Sequence, residues 1–266
     1  SAALAWADVD GDGHLDLAVS ADYNEIFDDL TPGRDRLFTN LGTILSTSAS
    51  WVSSVNSPTR DLAFADVDGD AEPDLASLRG GSNYDWIHRN LGQAPHRDGT
   101  FGNAGTPQAL SIGDVDGDGR LDVALGFATG ATVLLGDGTN WTASSTWALA
   151  ETADVRDLAF ADGDGDGDLD LAVATWGAPD RVWLNLGGGF GSTPWASGSS
   201  NARAVAWGDG DGDGDLDLAV GLGGATQQIR WNDGAGGFGT STPLTGISGA
   251  QAAAWGDQDG DGDLDL

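Results

Sequence analysis

Six clusters of aspartate dominate the chemistry available to this chain. In the fifth, Asp209-Gly210-Asp211-Gly212-Asp213-Gly214-Asp215-Leu216-Asp217, acids stand at positions 1, 3, 5, 7 and 9, with glycine at 4 and 6. A hard cation of calcium's size takes six to eight oxygens from a flexible loop. Alternating carboxylates on a tightly turning backbone supply them, and glycine admits the positive φ that lets successive oxygens converge.

The nine-residue phrase recurs at Asp8, Asp66, Asp114, Asp162, Asp209 and Asp257. Position 1 is always Asp. Positions 3, 5 and 9 are Asp10, Asp12 and Asp16 in the first copy, then Asp68, Asp70 and Asp74, then Asp116, Asp118 and Asp122. The later copies carry Asp164, Asp166 and Asp170, then Asp211, Asp213 and Asp217, then Asp259, Asp261 and Asp265. Position 7 varies: His14, Glu72, Arg120, Asp168, Asp215 and Asp263. The second copy departs from the rest, with Ala71 for the glycine at position 6 and Pro73 for the leucine at position 8. A low-complexity acidic linker has no reason to keep this phase or an apolar strand after each copy.

These loops must sit on something that repeats with them. The starts are spaced by 58, 48, 48, 47 and 48 residues, a period of propellers and solenoids. Each repeat reads as four strands. A first strand precedes the loop, as in Asp61–Ala65, Asp157–Ala161 and Ala204–Gly208. Large and small residues alternate in it with the period of a strand. Its large face, with Trp6, Phe64, Ile112, Phe160, Trp207 and Trp255 in register, is expected to be core. A second strand follows the loop (Leu171-Ala172-Val173). A third ends in an Asn/Asp/Gly turn (Val182 to Gly187, Ile229 to Gly234), and a weaker fourth lies near Trp51-Val52, Trp147-Ala148-Leu149 and Pro243-Leu244. The expected architecture is all-β: a β-propeller of four-stranded blades with a calcium loop between the first and second strands of each. One domain, 1–266, divides into repeats 1–57, 58–105, 106–153, 154–200, 201–248 and an incomplete 249–266. Five blades are whole and the sixth partial. With no Met and a last residue just beyond a motif, the expectation is a fragment of a larger propeller. Repeat one carries an insertion over Asp22–Arg34, between its second and third strands.

The formal net charge is −31, from 42 acids and 11 basic residues, all Arg. The loops hold 28 of the acids at their odd positions, and the other 14 nearly balance the arginines. The acidity therefore belongs to the loops, and no basic footprint for nucleic acid exists. Cys is absent, which excludes disulfides and thiolate metal sites. No apolar run approaches a membrane span.

The phrase Ala-Phe-Ala-Asp-Gly-Asp-Gly-Asp-Gly-Asp-Leu-Asp-Leu-Ala-Val at 159–173 and its five relatives resemble the FG-GAP/VCBS family, the blades of integrin-alpha-like propellers and of bacterial surface proteins. Gly177-Ala178-Pro179 matches that family's Gly-Ala-Pro signature in repeat four alone. The resemblance implies up to six Ca2+, each held by the side chains at positions 1, 3, 5 and 9. The backbone carbonyl at position 7 would complete each set, contributed by His14, Glu72, Arg120, Asp168, Asp215 or Asp263.

Other readings of the loop fit less well. An EF-hand needs Glu at position 12 and flanking helices, but Val19, Ser77, Leu125, Val173 and Val220 stand there, between strands. Magnesium prefers rigid octahedral sites that keep several waters. RTX-type repeats have a much shorter period. There is no lysine for a P-loop, no Gly-x-Ser-x-Gly elbow and no His-x-x-x-His pair among His14, His88 and His96.

The expected function is that of a non-enzymatic module of a secreted or cell-surface protein. Calcium stiffens it, and the face opposite the loops binds a protein or glycan for adhesion. The alternative is a carbohydrate-binding or polysaccharide-lyase propeller, motivated by Tyr23, Tyr84, Trp86 and Trp176 near the second-to-third connections.

Overall fold

In the computed structural model, described for residues 3–20, 34–54, 58–79, 85–90, 95–101, 105–147, 149–224, 226–260 and 263–266, no helix occurs among the described residues. The insertion over 22–33, Tyr23, Tyr84 and Asp261 lie outside the described residues. Repeat one forms β1 (Leu4–Ala7), β2 (Asp16–Val19), β3 (Arg36–Phe38) and β4 (Trp51–Val52). Repeat two forms β5 (Thr59–Ala65), β6 (Asp74–Arg79), β7 (Asp85–Asn90) and β8 (Pro95–Phe101). Repeat three forms β9 (Ala109–Gly113), β10 (Asp122–Phe127), β11 (Gly130–Gly136) and β12 (Trp141–Trp147). Each set is a four-stranded sheet in chain order.

Repeats four and five share a six-stranded sheet of β13 (Asp154–Ala161), β14 (Asp170–Trp183), β15 (Trp195–Gly208), β16 (Asp217–Leu222), β17 (Thr226–Trp231) and β18 (Thr240–Ser248). β14 carries both the second- and third-strand positions of repeat four, with Gly177 at φ +77 between them. β15 joins the last strand of repeat four to the first of repeat five. In each sheet consecutive strands lie side by side, joined by connections that range from the two residues between β10 and β11 to the aspartate loops.

The chain forms two compact units. One holds residues 1–112, 119–123 and 134–146; the other holds 113–118, 124–133 and 147–266. In the first, Val9, Ala18, Leu37, Leu62 and Leu75 make a buried cluster with Trp51 and Phe64 against it. In the second, Ala172, Val182, Val205, Leu218, Val220 and Phe238 do so, with Trp195 and Trp207 at the margin. At about 1.5–3 kcal/mol per buried Val, Leu or Phe, these clusters are the main stabilising term.

Three details differ from the sequence reading. Trp6 is 51% exposed and not core. In later repeats the corresponding indole rests on the preceding repeat: Trp207 Nε1 donates to Ala159 O at 3.0 Å, and Trp255 Nε1 to Ala206 O at 3.1 Å. Nothing described in the first unit offers Trp6 such a neighbour. The fourth strand of repeat three lies earlier than expected, at Trp141–Trp147. In repeat six the first strand does not form; among the described residues only the bridge Gly256–Asp265 pairs.

Carboxylates also join successive repeats. Asp61 accepts from Leu62 N at 2.9 Å and from Leu110 N, in the next repeat, at 3.0 Å. Asp157 does the same with Leu158 N and Val205 N, both at 2.9 Å. Burial pushes the Asp61 carboxyl up to about 6, against the opposing pull of its two amide donors. The unfolded chain releases this proton near pH 4, so Asp61's favourable contribution is complete below pH 4 and lost as pH rises through 6. Asp61→Asn does not titrate. Its stability relative to the parent should therefore rise between pH 4 and pH 7, by about 2 kcal/mol. Urea melts at the two pH values test this; a difference that stays flat with pH would refute it.

Candidate metal centre

Each loop is a hairpin connection whose backbone is bent by residues in left-handed conformation. Position 4 is at φ +72 in Gly11, +76 in Gly69, +71 in Gly117, +75 in Gly165, +76 in Gly212 and +78 in Gly260. Position 6 repeats this at Gly13, Gly119, Gly167 and Gly214, and at Ala71, where φ is +71.

The turns let one carboxylate hold the loop from inside. Asp8 accepts from Asp12 N at 3.1 Å and Gly13 N at 2.8 Å. Asp66, Asp162 and Asp209 accept from the same two positions in their own loops. At position 5, Asp12, Asp70, Asp166 and Asp213 accept from the amide at position 7 at 2.9–3.0 Å.

Position 9 anchors each loop to the sheet. Asp16, Asp74, Asp170 and Asp217 are buried at the start of the second strand. One oxygen of each accepts from the amide at position 2 (Val9, Val67, Gly163, Gly210) at 2.9–3.1 Å. The other accepts from the amide of the Asn ending the third strand (Asn40, Asn90, Asn185, Asn232) at 2.7–2.9 Å.

Those asparagines were legible in the sequence only as turn residues, and their side chains do more. Asn232 Nδ2 donates to Leu216 O at 2.9 Å and to Gly163 O, in the previous repeat's loop, at 2.6 Å. Asn185 reaches Val115 O and Asn90 reaches Val9 O, each at 2.7 Å. Repeat three has Gly136 at this position, and Trp141 Nε1 takes over the bond to the position-8 carbonyl, Leu121 O, at 2.6 Å.

The result is a convergence of carboxylate oxygens. Ligand atoms of Asp8, Asp10 and Asp16 lie within 4.8 Å of one another, as do those of Asp162, Asp164 and Asp170, and of Asp209, Asp211 and Asp217. In repeat three Asp118 N donates to Asp114 at 3.1 Å and to Asp116 at 3.2 Å, while Asp122 accepts from Gly136 N at 2.7 Å. In repeat six Asp257 accepts from Gly260 N at 2.7 Å, and Asp265 from Gln258 N at 2.9 Å. Asp259 and Asp263 belong to the same loop.

The position-7 side chains turn toward the Asn-x-Gly turn. A Cβ on Gly234 would lie 2.5 Å from Asp215 Oδ2, one on Gly187 3.3 Å from Asp168 Oδ2, and one on Gly42 3.3 Å from the His14 ring. Arg120 lies against Gly138 in the same way.

Electrostatics oppose this gathering of like charge. Burial, and after it the neighbouring carboxylates, push Asp74 and Asp170 up to about 6. Asp10, Asp164 and Asp217 are raised for the same reasons. A hard divalent cation would reverse that cost, and the donor set fits one: oxygen only, anionic, on a loop held open by its own amides. Among the described residues, Asp8, Asp10 and Asp16, Asp162, Asp164 and Asp170, and Asp209, Asp211 and Asp217 stand close enough together to hold one.

The second loop departs from the others. Its close group is Asp66, Asp68 and Asp70, without Asp74. Arg89 Nε stands 3.8 Å from Asp68 Oδ2, a cation beside a would-be ligand. Ala71 carries a Cβ at φ +71, a conformation costing about 1–2 kcal/mol in a non-glycine residue. Glycine's freedom in the unfolded chain returns part of that. Ala71→Gly should therefore raise stability by about 1 kcal/mol and tighten one site in a calorimetric calcium titration. Lower stability with every site unchanged would show that the turn bears no strain.

Of the aromatics outside the repeat pattern, Trp86 stacks on His88 at 6.3 Å. Trp176 is 37% exposed, with Arg203 4.8 Å and Arg156 5.8 Å from its ring centroid.

Solved structures with this fold include an Agrocybe aegerita lectin described as recognising non-reducing terminal N-acetylglucosamine. It is 19% identical with a TM-score of 0.56, over 91% of this chain and 65% of that one. The V. cholerae biofilm matrix protein Bap1 is 18% identical with a TM-score of 0.55, over 94% of this chain and 40% of that one. BBS1N, in a complex with ARL6DN, is 14% identical with a TM-score of 0.58, over 91% of this chain and 68% of that one. The chain thus spans about two thirds of the lectin and BBS1N chains and two fifths of Bap1. No curated protein sequence matches it. The FG-GAP-like repeat model matches residues 8–77, 114–173, 162–220 and 211–266. With most of its length matched in phase with the aspartate loops, the chain belongs to the FG-GAP-like repeat family.

Proposed function

We propose that this chain is a non-enzymatic β-propeller module of a secreted or cell-surface protein, stiffened by calcium in its aspartate loops. The observation that carries the reading is that the carboxylate cluster recurs at the same hairpin connection, held by the same amide bonds in repeats one, two, four and five. A catalyst would set one such group apart. Repetition at one structural position serves rigidity, and calcium supplies the countercharge that lets the carboxylates stay together. The likeness in fold to a biofilm matrix protein agrees with an adhesive, extracellular role.

The ends of the sheets away from the loops are then the surface for a partner. A second reading, glycan binding, draws on the half-exposed Trp176 and on the shared fold with a sugar-recognising lectin. A glycan array and a panel of immobilised matrix proteins, run with the calcium-loaded chain, separate the two. Sugar-specific binding lost in Trp176→Ala supports the glycan reading, and binding confined to proteins supports the first. Turnover of any polysaccharide would overturn the non-enzymatic assignment.

A further inference from the structure

The core between repeats four and five does not fill the space at the end away from the aspartate loops. β16 starts at Asp217, on the loop, and reaches Leu222 five residues on, about 16 Å away. There a cavity of about 450 Å³ opens, within the size range of small-ligand sites. Val220 and Leu222 form an apolar wall; Asp180, Asn201, Gln228 and Arg230 are polar groups around it. Gly177, Gly198, Gly223 and Gly224 also line the cavity and contribute no side chain, which is why the space stays open.

The register of the strands aims the polar groups. Leu218 pairs with Arg230 and Val220 with Gln228, so Gln228 and Arg230 share the face that carries the apolar wall. The Arg230 guanidinium lies 5.8 Å over the Trp195 ring, and its Nε is buried without a hydrogen-bond partner. Asp180 is held in place, accepting from Thr175 N at 3.0 Å and from Ser197 Oγ at 3.3 Å. At the rim, Trp176 and Arg203 lie against Gly223. Arg203 stands at this end, Arg156 beside Trp176 is paired with Asp154, and Arg230, level with Leu218, lines the cavity from the loop side.

We infer that this cavity takes a carboxylate-bearing sugar unit of the uronic-acid class. The inference rests on the binding-module reading and gives its ligand. Arg230 pairs with the carboxylate in the fork geometry that guanidinium offers, while Asp180, Asn201 and Gln228 meet ring hydroxyls. A neutral sugar offers the Arg230 N–H groups only hydroxyl acceptors and no countercharge, so it forgoes the stronger charge-assisted pair.

The test titrates the calcium-saturated protein with D-galacturonate and D-glucuronate, and with D-galactose and D-glucose as uncharged counterparts, followed by NMR shifts. At least one uronate should bind roughly tenfold or more tightly than its counterpart. Arg230→Gln should abolish that preference at an unchanged melting temperature. Equal binding of both forms, no binding of either uronate, or a preference that survives Arg230→Gln would overturn the inference. Should Arg230→Gln lower the melting temperature, Asn201→Ala, at an exposed residue, decides instead: it must weaken uronate binding several-fold, and no weakening overturns the inference. The calcium reading is scored separately by melting with and without chelator. A protein that needs calcium but ignores uronates sinks only the ligand assignment.

Discussion

Removing calcium should lower the melting temperature by on the order of 10 °C or more. Calcium bound by the folded state alone stabilises through mass action. For a dissociation constant near 10⁻⁴ M, at the tight end for extracellular modules, 1 mM calcium contributes about 1.4 kcal/mol per site. Five such sites sum to about 7 kcal/mol, comparable to the whole stability of an ordinary domain. The chelated protein also keeps the burial and, after it, the carboxylate repulsion that raise Asp74 and Asp170. A melting scan with EDTA and with 1 mM calcium reads the difference. Magnesium at 1 mM should restore far less, because the loops offer a flexible site in place of a rigid octahedron.

Asp170→Ala should be the most damaging single change at a loop, even without metal. Asp170 is fully buried and accepts from Gly163 N at 2.9 Å and Asn185 N at 2.8 Å. Alanine leaves both amides unpaired, at about 1–3 kcal/mol each, so a loss of about 3–4 kcal/mol is expected in EDTA. In calcium the loss should grow, since one site also disappears. Asp166→Ala is the control. Asp166 is exposed and takes only Asp168 N, so it should cost little in EDTA and reveal its effect only with calcium. Equal losses for the two variants in EDTA would contradict the anchoring role of position 9.

The loops were legible in the sequence because their chemistry is local. Among the described residues, each glycine at positions 4 and 6 of the phrase is at positive φ, and Ala71, the one substitution among them, takes the same conformation. First and second strands followed from alternation around the first five loops. What escaped the sequence depends on partners distant in the chain. Asn185 and Asn232 read as turn residues, yet their amides reach loops some 70 residues earlier. Trp141 gave no sign that it substitutes for an asparagine, because that requires knowing where Leu121 O points. Trp6 has the sequence context of Trp207 and not its burial, since burial is set by the neighbouring repeat. The cavity at Arg230 was equally silent: glycines within β14, within β15 and after β16 leave it open.

The central claim is that each aspartate loop holds a calcium ion. Counting bound calcium by equilibrium dialysis of the folded chain, in the presence of millimolar magnesium, tests it most directly. The account predicts five to six ions per chain, falling by one in Asp162→Ala, whose carboxylate accepts from Asp166 N and Gly167 N at the head of its loop. A folded chain that binds no calcium, or whose count is unchanged by that substitution, would contradict it.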